Sequence, residues 1–180
     1  ITNEWKEQNG WIDIKDWDAI KEVNKDTTGL WFFNSGPLAG ASQPHRHIQL
    51  LRRDPSELSC PRENWILDFS NANYKNIKFS KNIIIKKFSQ SLNEENIYKT
   101  YKDLSFKLGL GEPKTDKKPR YPYNIIFTNK WMALIRRKTD NLFGISVNAL
   151  GFAGYILVTE KSDLKYLKKV GPENLLGNFL

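Results

Sequence analysis

The strongest constraint on how this 180-residue chain folds is a pair of apolar segments separated by only two residues. Residues 123–128 and 131–136 are rich in β-branched and aromatic side chains, and Asn129 and Lys130 join them. Segments of this composition predict strands, and a two-residue connection between them predicts a tight hairpin. The fold should therefore contain at least one antiparallel strand pair.

Other segments alternate between strand and helix character. Apolar residues recur at helical spacing over residues 16–26, with Asp16 as the expected cap, and over residues 94–110. Strands are predicted over residues 29–34, 82–88 and 154–159 and along the histidine segment to about residue 52, with a short helix over 162–170 and a last helix from Pro172 to 176. We expect one α+β domain, residues 1–180, with an antiparallel sheet flanked by helices rather than a doubly wound fold.

Net charge and cysteine content limit the partners and the compartment. The formal net charge is +8 at pH 7, so the expected partner is an anion, and nucleic acid, a membrane surface or a small nucleotide would each fit. Cys60 is the only cysteine, which excludes an internal disulfide and a cysteine-rich zinc cluster and favours a reducing compartment. No apolar run approaches the ~20 residues of a membrane span, which indicates a soluble, cytoplasmic protein. Because the chain begins at Ile1 rather than Met, we expect it to be part of a longer protein.

Both histidines of the chain lie two residues apart, in the segment with the most chemical potential. If this segment is extended, its period of two places His45, His47 and Gln49 on one face of a strand. As metal ligands the two imidazoles fall short of the three or four that zinc normally takes, and no further ligand is evident nearby. As structural residues they would simply be satisfied by backbone carbonyls at a sheet edge.

The loop before the histidines favours a third role, nucleophilic attack on phosphorus. Gly40 and Ala41 are small enough for a ligand to approach the backbone, and Ser42 and Gln43 donate hydrogen bonds. A neutral imidazole nitrogen can attack a phosphoryl group and form a covalent phosphoramidate. Donors around the phosphate would stabilise the charge that develops.

The segment Gly-Ala-Ser-Gln-Pro-His-Arg-His-Ile-Gln at residues 40–49 resembles the active-site signature of the diadenosine tetraphosphate phosphorylases, also called ATP adenylyltransferases, of the histidine-triad superfamily. Residues 34–37, 123–132 and 145–154 are also similar to the C-terminal region of that family, so the resemblance covers at least residues 31–180. Family proteins are longer, which implies that this chain matches their C-terminal part, without the upstream strands that complete the nucleotide pocket.

The resemblance implies roles for residues at matching positions. The second histidine of the family's His-x-His-x-Gln motif, here His47, is the nucleophile that takes a nucleoside monophosphate, and His45 would hold it through its backbone carbonyl. Gln49 would contact the phosphate of the intermediate, and because glutamine cannot shuttle protons as histidine does, it favours transfer over hydrolysis. The positions expected to bind phosphates or nucleotide are Asn34, Gly40, Ala41, Ser42, Gln43, Thr128, Lys130, Met132 and Arg136. For Met132 a place in the core, and for Lys130 a place in the turn, are the structural alternatives.

The resemblance also implies a histidine-triad-like domain with a catalytic part over about residues 1–110 and a C-terminal family region over about residues 121–180. His47 would attack the α-phosphorus of a dinucleoside polyphosphate such as diadenosine tetraphosphate (Ap4A), release ATP and hold AMP, which inorganic phosphate would collect as ADP. Neither a tightly bound cofactor nor a dedicated metal site is expected, and Mg²⁺ or another divalent cation would accompany the nucleotide to screen its charge.

Two alternatives to a phosphorylase stay open at this point. One is another branch of the superfamily, a dinucleoside polyphosphate hydrolase or another nucleotidyltransferase such as a galactose-1-phosphate uridylyltransferase-like enzyme. The other is a basic nucleotide-binding or nucleic-acid-binding module without turnover, in which Trp and Tyr residues between lysines stack on bases. The second alternative leaves the His-x-His-x-Gln pattern unexplained, so we expect no nucleic-acid and no membrane partner.

Overall fold

The computed structural model of the protein describes residues 1–69, 77–88 and 94–180. Its helices are α1 (Ile14–Asn24), α2 (Glu63–Phe69), α3 (Ile77–Asn82), α4 (Glu94–Lys107), α5 (Ala149–Ala153) and α6 (Leu164–Gly177). Its strands are β1 (Gly29–Asn34), β2 (Gln49–Arg52), β3 (Ile83–Lys87), β4 (Tyr123–Phe127), β5 (Trp131–Arg136), β6 (Asn141–Leu142) and β7 (Ile145–Ser146). The predicted α+β class is confirmed.

Five of these strands form one antiparallel sheet in the order β2-β1-β4-β5-β3, and β6 pairs with β7 separately. The predicted hairpin is confirmed, because β4 pairs with β5 from Tyr123 opposite Arg136 to Phe127 opposite Met132. Strand β1 lies between β2 and β4. The histidine segment, which leads into β2, therefore approaches the end of β1 that carries Asn34.

Helices cover both faces of the sheet, and successive residues of β1 point to opposite faces. On one face, called here the α1 face, Trp31 and Phe33 pack with Trp17 of α1, and helix α4 completes the layer. On the other, the α5 face, Phe32 packs with Phe152 of α5, and α2, α3 and α6 contribute to the same core. Burying one such side chain completely stabilises the fold by roughly 1.5–3 kcal/mol. The continuous apolar run of β1 is thus explained by cover on both sides.

The N-cap of helix α1 lies three residues before the expected cap, Asp16. Asp13 is the N-cap and accepts from the backbone N–H groups of Lys15 and Asp16, while the Asp16 side chain accepts from the N–H of Asp13 at 2.9 Å. This reciprocal pair is a capping box, which satisfies donors that the first helical turn leaves free. Asp16 therefore lies in the first turn of α1 rather than at its cap.

The strand predicted over residues 154–159 is wrong. Helix α5 ends at Ala153, its C-cap is Gly154, whose φ of 110° favours glycine, and the chain from Tyr155 onward pairs with no strand of the described sheet. Leu157 and Val158 are 68% and 47% exposed, so their strand-like composition is not matched by burial. By contrast, α6 changes direction at Gly171 (φ 74°), where the sequence predicts one helix to end and another to begin.

Among the described helices, none is long and apolar enough to cross a membrane.

Candidate active site

The histidine segment leads into β2, an edge strand of the sheet. Regular pairing with β1 begins only at Gln49, opposite Phe32, and His45 forms an isolated bridge to the N-terminal segment. The strand is therefore shorter than predicted, but its side chains alternate as expected. Ile48 and Leu50 pack into the core of the α1 face, whereas Gln49 shares the α5 face with Phe32.

Arg46, between the two histidines, fixes the segment to helix α1. Its buried side chain forms an ion pair with Asp16, with 2.8 Å between Nη1 and Oδ2. The same guanidinium donates to the backbone carbonyls of Glu7 and Trp11, each at 2.8 Å. A buried ion pair needs its remaining donors satisfied to offset desolvation, and here the carbonyls meet that need. The backbone of both histidines is consequently held at a defined position relative to α1.

The ring of His47 is held by the backbone carbonyl of His45, as the resemblance predicts. The distance from Nδ1 of His47 to that oxygen is 2.8 Å. A carbonyl only accepts, so Nδ1 must carry the proton, and in the neutral ring the lone pair lies on Nε2. No hydrogen bond within the described part of the chain uses Nε2 of His47. This nitrogen has the electronic state that a nucleophile requires.

The ring of His45 is engaged differently. Its Nε2 lies 3.1 Å from the carbonyl oxygen of Glu4 and 3.0 Å from Oγ1 of Thr2, and its ring lies against Trp5 with 4.8 Å between centroids. Because the Glu4 carbonyl only accepts, the proton of neutral His45 lies on Nε2. The two histidines therefore carry opposite tautomers, and only that of His47 leaves Nε2 as an acceptor.

The side-chain amide of Asn34, at the end of β1, has one orientation that fits its neighbours. Its Oδ1 accepts from the backbone N–H of Ala149 at 2.8 Å and from Nδ2 of Asn124 at 2.7 Å. A backbone N–H only donates, so the atom that faces it must be oxygen. The Nδ2 of Asn34 makes no hydrogen bond within the described residues and remains as a donor for a ligand.

Asn124 is oriented in turn by buried Arg137. Nη1 of Arg137 donates to Oδ1 of Asn124 at 2.5 Å, and Nη2 donates to the carbonyls of Thr139 and Val147 at 2.6 and 2.7 Å. Burial lowers the pKa of Arg137 to about 10, which still leaves the guanidinium charged at neutral pH. A series of directional hydrogen bonds therefore runs from this charge through Asn124 to the end of β1.

The loop between β1 and the histidines is a compact turn with free backbone donors. After one 3-10 turn at Pro37–Ala39, the N–H groups of Gly40 and Ala41 bond back to the start of the turn at 2.8 and 2.9 Å. Gly40 has φ 85°, and a Cβ there would come within 2.7 Å of a side-chain atom in the loop before α5. Within the described structure, the N–H groups of Ser42 and Gln43 make no hydrogen bond. Free N–H groups in a turn suit an anion.

Two cavities share this loop as a wall. One, of about 560 Å³, is lined by Gly40 and Ser42 and, from the C-terminal part of the chain, by Tyr155 and Lys161 among others. Another, of about 350 Å³, is lined by Ser42 and by Trp5, which is 64% exposed. The first brings a lysine and several hydroxyl groups to the loop, which suits the outer phosphates of a long ligand.

Thr128 and Lys130, which the resemblance predicts to approach the nucleotide, lie away from the histidines, toward the other end of the sheet. Asn124 lies opposite Asn34 in the sheet, and β4 runs from there toward its other end, which places Thr128 about 13 Å away at about 3.3 Å per residue. Buried Thr128 accepts the backbone N–H of Lys130 at 3.0 Å through its Oγ1. The two residues belong to the β4–β5 turn. Tight turns commonly contain polar residues, so their place in the turn accounts for their residue types.

Met132 and Arg136 also lie away from the histidines. Met132 is fully buried in the core of the α1 face, so the core-filling alternative holds in place of nucleotide contact. Arg136 lies opposite Tyr123, on the same α1 face, where its Nε donates to Asn82 at 3.0 Å and its guanidinium lies over the ring of Tyr121. The side chain therefore points away from the α5 face that carries the candidate site.

Sequence reasoning missed three buried residues that support the site, Gln8, Asn124 and Arg137. Asn124 had a signal, since a polar residue interrupts an otherwise apolar strand. Arg137, one residue beyond β5, and Gln8, in a polar N-terminal stretch, had none. Their roles arise from contacts between segments far apart in the sequence.

Comparisons with known proteins agree with this architecture. A family model described as the ATP adenylyltransferase C-terminal domain matches residues 60–179, and one described as the Ap4A phosphorylase N-terminal domain matches residues 1–66. Diadenosine 5',5'''-P1,P4-tetraphosphate phosphorylase 2 of Saccharomyces cerevisiae is 25% identical over 153 residues, 77% of this chain and 47% of that protein. Protein APA1 of the same yeast is 24% identical over 179 residues, 90% of this chain and 54% of that protein.

Solved structures show the same fold. The crystal structure of yeast Ap4A phosphorylase Apa2 matches with a TM-score of 0.63 at 18% identity, over 100% of this chain and 65% of that one. The crystal structure of Apa2 in complex with Ap4A matches with a TM-score of 0.66 at 19% identity, over 100% of this chain and 66% of that one. The chain spans about half the length of the curated relatives it matches. It has the histidine-triad-like fold, and because the C-terminal-domain model covers more than half of its residues, it belongs to the ATP adenylyltransferase family.

Proposed function

We propose that the protein is a nucleotidyltransferase that cleaves dinucleoside polyphosphates through a covalent nucleotidyl-histidine. The observation that carries the proposal is the hydrogen bond from Nδ1 of His47 to the carbonyl of His45, because it leaves the lone pair on Nε2. Nε2 attacks the α-phosphorus of a substrate such as Ap4A and forms an N–P bond. The bond from that phosphorus to the bridging oxygen breaks, and ATP leaves with the electron pair.

The phosphate-binding groups come from three segments around His47. Nδ2 of Asn34, the N–H groups of Ser42 and Gln43, and the side chain of Gln49 supply donors for the phosphoryl oxygens in the transition state. The cavity beside Gly40 and Ala41 takes the outer phosphates, and Lys161 in its wall offsets part of their charge. A divalent cation such as Mg²⁺, bound through the phosphates, completes the neutralisation.

The second half-step transfers the AMP group to inorganic phosphate. A phosphate oxygen attacks the phosphorus of the intermediate, the N–P bond breaks, and ADP leaves while Nε2 regains its lone pair. Gln49 binds this intermediate without the proton-transfer ability of a histidine, which favours phosphate, already an anion, over water as the acceptor. The predicted partners are thus dinucleoside polyphosphates, phosphate, ADP and ATP, and the unpaired cysteine supports a cytoplasmic location.

The decisive experiment is detection of the adenylated protein. Full-length protein is mixed with Ap4A in the absence of phosphate, and its intact mass is measured for an added AMP group. We expect an adduct on the parent protein, none on His47→Ala, and an adduct within about tenfold of the parent rate on His45→Ala, because His45 contributes a backbone carbonyl that alanine retains. Addition of phosphate should discharge the adduct as ADP.

Three outcomes would overturn parts of this proposal. If the folded parent forms no adduct, or His47→Ala forms it equally well, the nucleophile is wrong. If water discharges the adduct as fast as phosphate does, the protein is a hydrolase. If the protein instead binds RNA with steep salt dependence and forms no adduct, the non-catalytic alternative is correct.

A further inference from the structure

Gln8 inserts its side-chain amide into the sheet at the point where β1 and β2 separate. The ladder between these strands ends with Phe32 opposite Gln49, so the same register would next place Phe33 opposite Ile48 and then Asn34 opposite His47. Here the strands instead bond to Gln8. Its Nε2 donates to the carbonyl of Asn34 at 2.6 Å and to that of His47 at 3.2 Å, and its Oε1 accepts the N–H of His47 at 2.8 Å.

The amide of Gln8 is itself well anchored. Its side chain is buried with only 2% of the residue exposed, and its own backbone N–H donates to the carbonyl of Pro44 at 2.8 Å. A buried amide with donor and acceptor both satisfied is rigid, since any rotation would leave a polar group unpaired at a cost of about 1–3 kcal/mol. The side chain of Gln8 therefore takes the place of the direct hydrogen bonds between β1 and β2 at this point and holds the two backbones at a fixed separation. It is called the spacer here.

The spacer fixes two functional groups at once. Both backbone hydrogen-bonding groups of His47 contact Gln8, so the direction in which the imidazole leaves the backbone is fixed, and the bond to the His45 carbonyl then fixes the ring. The carbonyl of Asn34, whose side chain presents the free Nδ2, is held by the same amide. The separation between nucleophile and phosphate donor thus depends on one side chain from a distant part of the sequence.

We propose that Gln8 is a positioning residue for adenylyl transfer, a proposal that rests on the function proposed above. It sets the distance and angle between Nε2 of His47 and the phosphate held by Asn34, without touching the substrate. Reactions between aligned groups lose about 100-fold in rate when the alignment shifts by about 1 Å. Loss of Gln8 should therefore slow formation of the adduct much more than it weakens nucleotide binding.

Two substitutions whose side chains are similar in size to glutamine distinguish a loss of His47 alignment from a general loss of folding. Gln8→Glu keeps an acceptor for the N–H of His47 but faces two carbonyls without a donor while it is ionised, and Gln8→Met removes all three hydrogen bonds. We expect both to form the adduct about 10–100-fold more slowly than the parent in single-turnover measurements. AMP affinity should change less than about threefold, and Asn9→Ala, an exposed neighbour, should match the parent.

The pH dependence of Gln8→Glu supplies a signature that a folding defect does not share. A protonated carboxyl can donate one hydrogen bond, and burial raises the pKa of a carboxyl. The ratio of the Gln8→Glu rate to the parent rate should therefore rise as pH falls from 8 to 5.5, whereas the ratio for Gln8→Met should stay flat. Dividing by the parent rate removes the common effect of protonating His47.

A measurement without substrate keeps this test independent of the proposed activity. ¹⁵N spectra of the imidazoles report the tautomer, and His45→Ala assigns the two histidines. The parent should show His47 protonated at Nδ1, and Gln8→Met should show the mixed tautomers of a free ring. If the tautomer is unchanged in Gln8→Met, or if affinity falls while the adduct rate holds, Gln8 does not position His47. If the tautomer shifts but the parent forms no adduct, the positioning role stands and the proposed function fails.

Discussion

The histidine pair illustrates how partner atoms decide the chemistry of identical side chains. His45 and His47 lie on one segment two residues apart, yet a carbonyl faces Nε2 of the first and Nδ1 of the second. Since a carbonyl accepts only, the two neutral rings hold their protons on opposite nitrogens. The amide of Asn34 is oriented by the same reasoning, through the N–H of Ala149. In each case a backbone group fixes which atom of the side chain carries the free donor or the free lone pair.

Replacing Asn34 with Asp tests the donor that this orientation leaves free. Asn34→Asp retains an oxygen for the N–H of Ala149 but puts an anionic oxygen in the place of Nδ2. Loss of one transition-state donor costs about 100–1,000-fold in rate, and repulsion of phosphate adds to it. We expect adduct formation to fall by at least about 100-fold, measured by intact mass over time. An unchanged rate in a folded variant would remove Asn34 from the site.

Gln49 offers a test of the acceptor in the second half-step. It is exposed on the α5 face, and a histidine there can carry a proton from water to the leaving group. General acid–base catalysis contributes about 100–10,000-fold, so we expect Gln49→His to raise hydrolysis of the adduct at least about tenfold relative to phosphorolysis. Products are separated by chromatography with and without phosphate. Gln49→Asn is the control, and an unaltered product ratio in Gln49→His would contradict the assigned role.

At the scale of elements, the local sequence pattern predicts a strand or helix correctly where the segment packs against its neighbour in the sequence. The β4–β5 hairpin is an example, because a two-residue connection leaves its strands no other partner. The segment at residues 154–159 has equally strand-like composition but follows a helix end and pairs with no strand of the described sheet, so its local propensity produces no ladder. Gln8 and Arg137 were missed for the converse reason. The carbonyl of Asn34 and the N–H of His47 lie 26 and 39 residues from Gln8, and the amide oxygen of Asn124, which Arg137 orients, lies 13 residues from Arg137.

The ion pair between Arg46 and Asp16 joins the histidine segment to α1 and should dominate local stability. Removing one partner of a buried pair costs about 3–5 kcal/mol when the remaining charge is left uncompensated. In Arg46→Met the carboxylate of Asp16 keeps a longer ion pair, 3.6 Å from its Oδ1 to Nζ of Lys6, so the free energy of unfolding should fall by about 3 kcal/mol, the lower end of that range. Asp16→Asn keeps the bond from the N–H of Asp13. Adding it to Arg46→Met should recover at least about 1 kcal/mol, measured by urea unfolding. If the double variant is less stable than Arg46→Met, the charge is not the cause.

At the scale of the whole molecule, the site joins segments that fold onto both faces of one sheet. The N-terminal segment supplies Gln8, β1 supplies Asn34, and the chain beyond β5 supplies Arg137, so no part of the site is complete until the sheet has formed.

Buried ionisable groups lie in both cores. Cys60 is in the core of the α5 face, and on the α1 face the hydroxyl groups of Tyr101 and Tyr123 are 2.7 Å apart. Stability of the molecule should therefore depend on keeping these groups protonated.

Alkaline unfolding measures that dependence. Burial raises the pKa of Cys60 from 9.0 to about 11, and burial likewise raises the pKa of both tyrosines. A pKa raised in the folded state gives stability that is complete below the unfolded pKa and is lost as pH rises through the folded one. For Cys60 the loss begins near pH 9 and reaches about 2–3 kcal/mol by pH 11, since each pKa unit corresponds to about 1.4 kcal/mol.

Urea unfolding of the parent and of Cys60→Ala from pH 7 to pH 11 separates the two contributions. The variant should be less stable than the parent at pH 7, because it leaves a small cavity, and the difference should narrow between pH 9 and pH 10 as the parent loses the contribution of the thiol. The steeper loss above pH 10 should remain in both proteins, because it belongs to the tyrosine pair. A constant difference across this range would mean that Cys60 ionises as readily in the folded protein as in the unfolded chain.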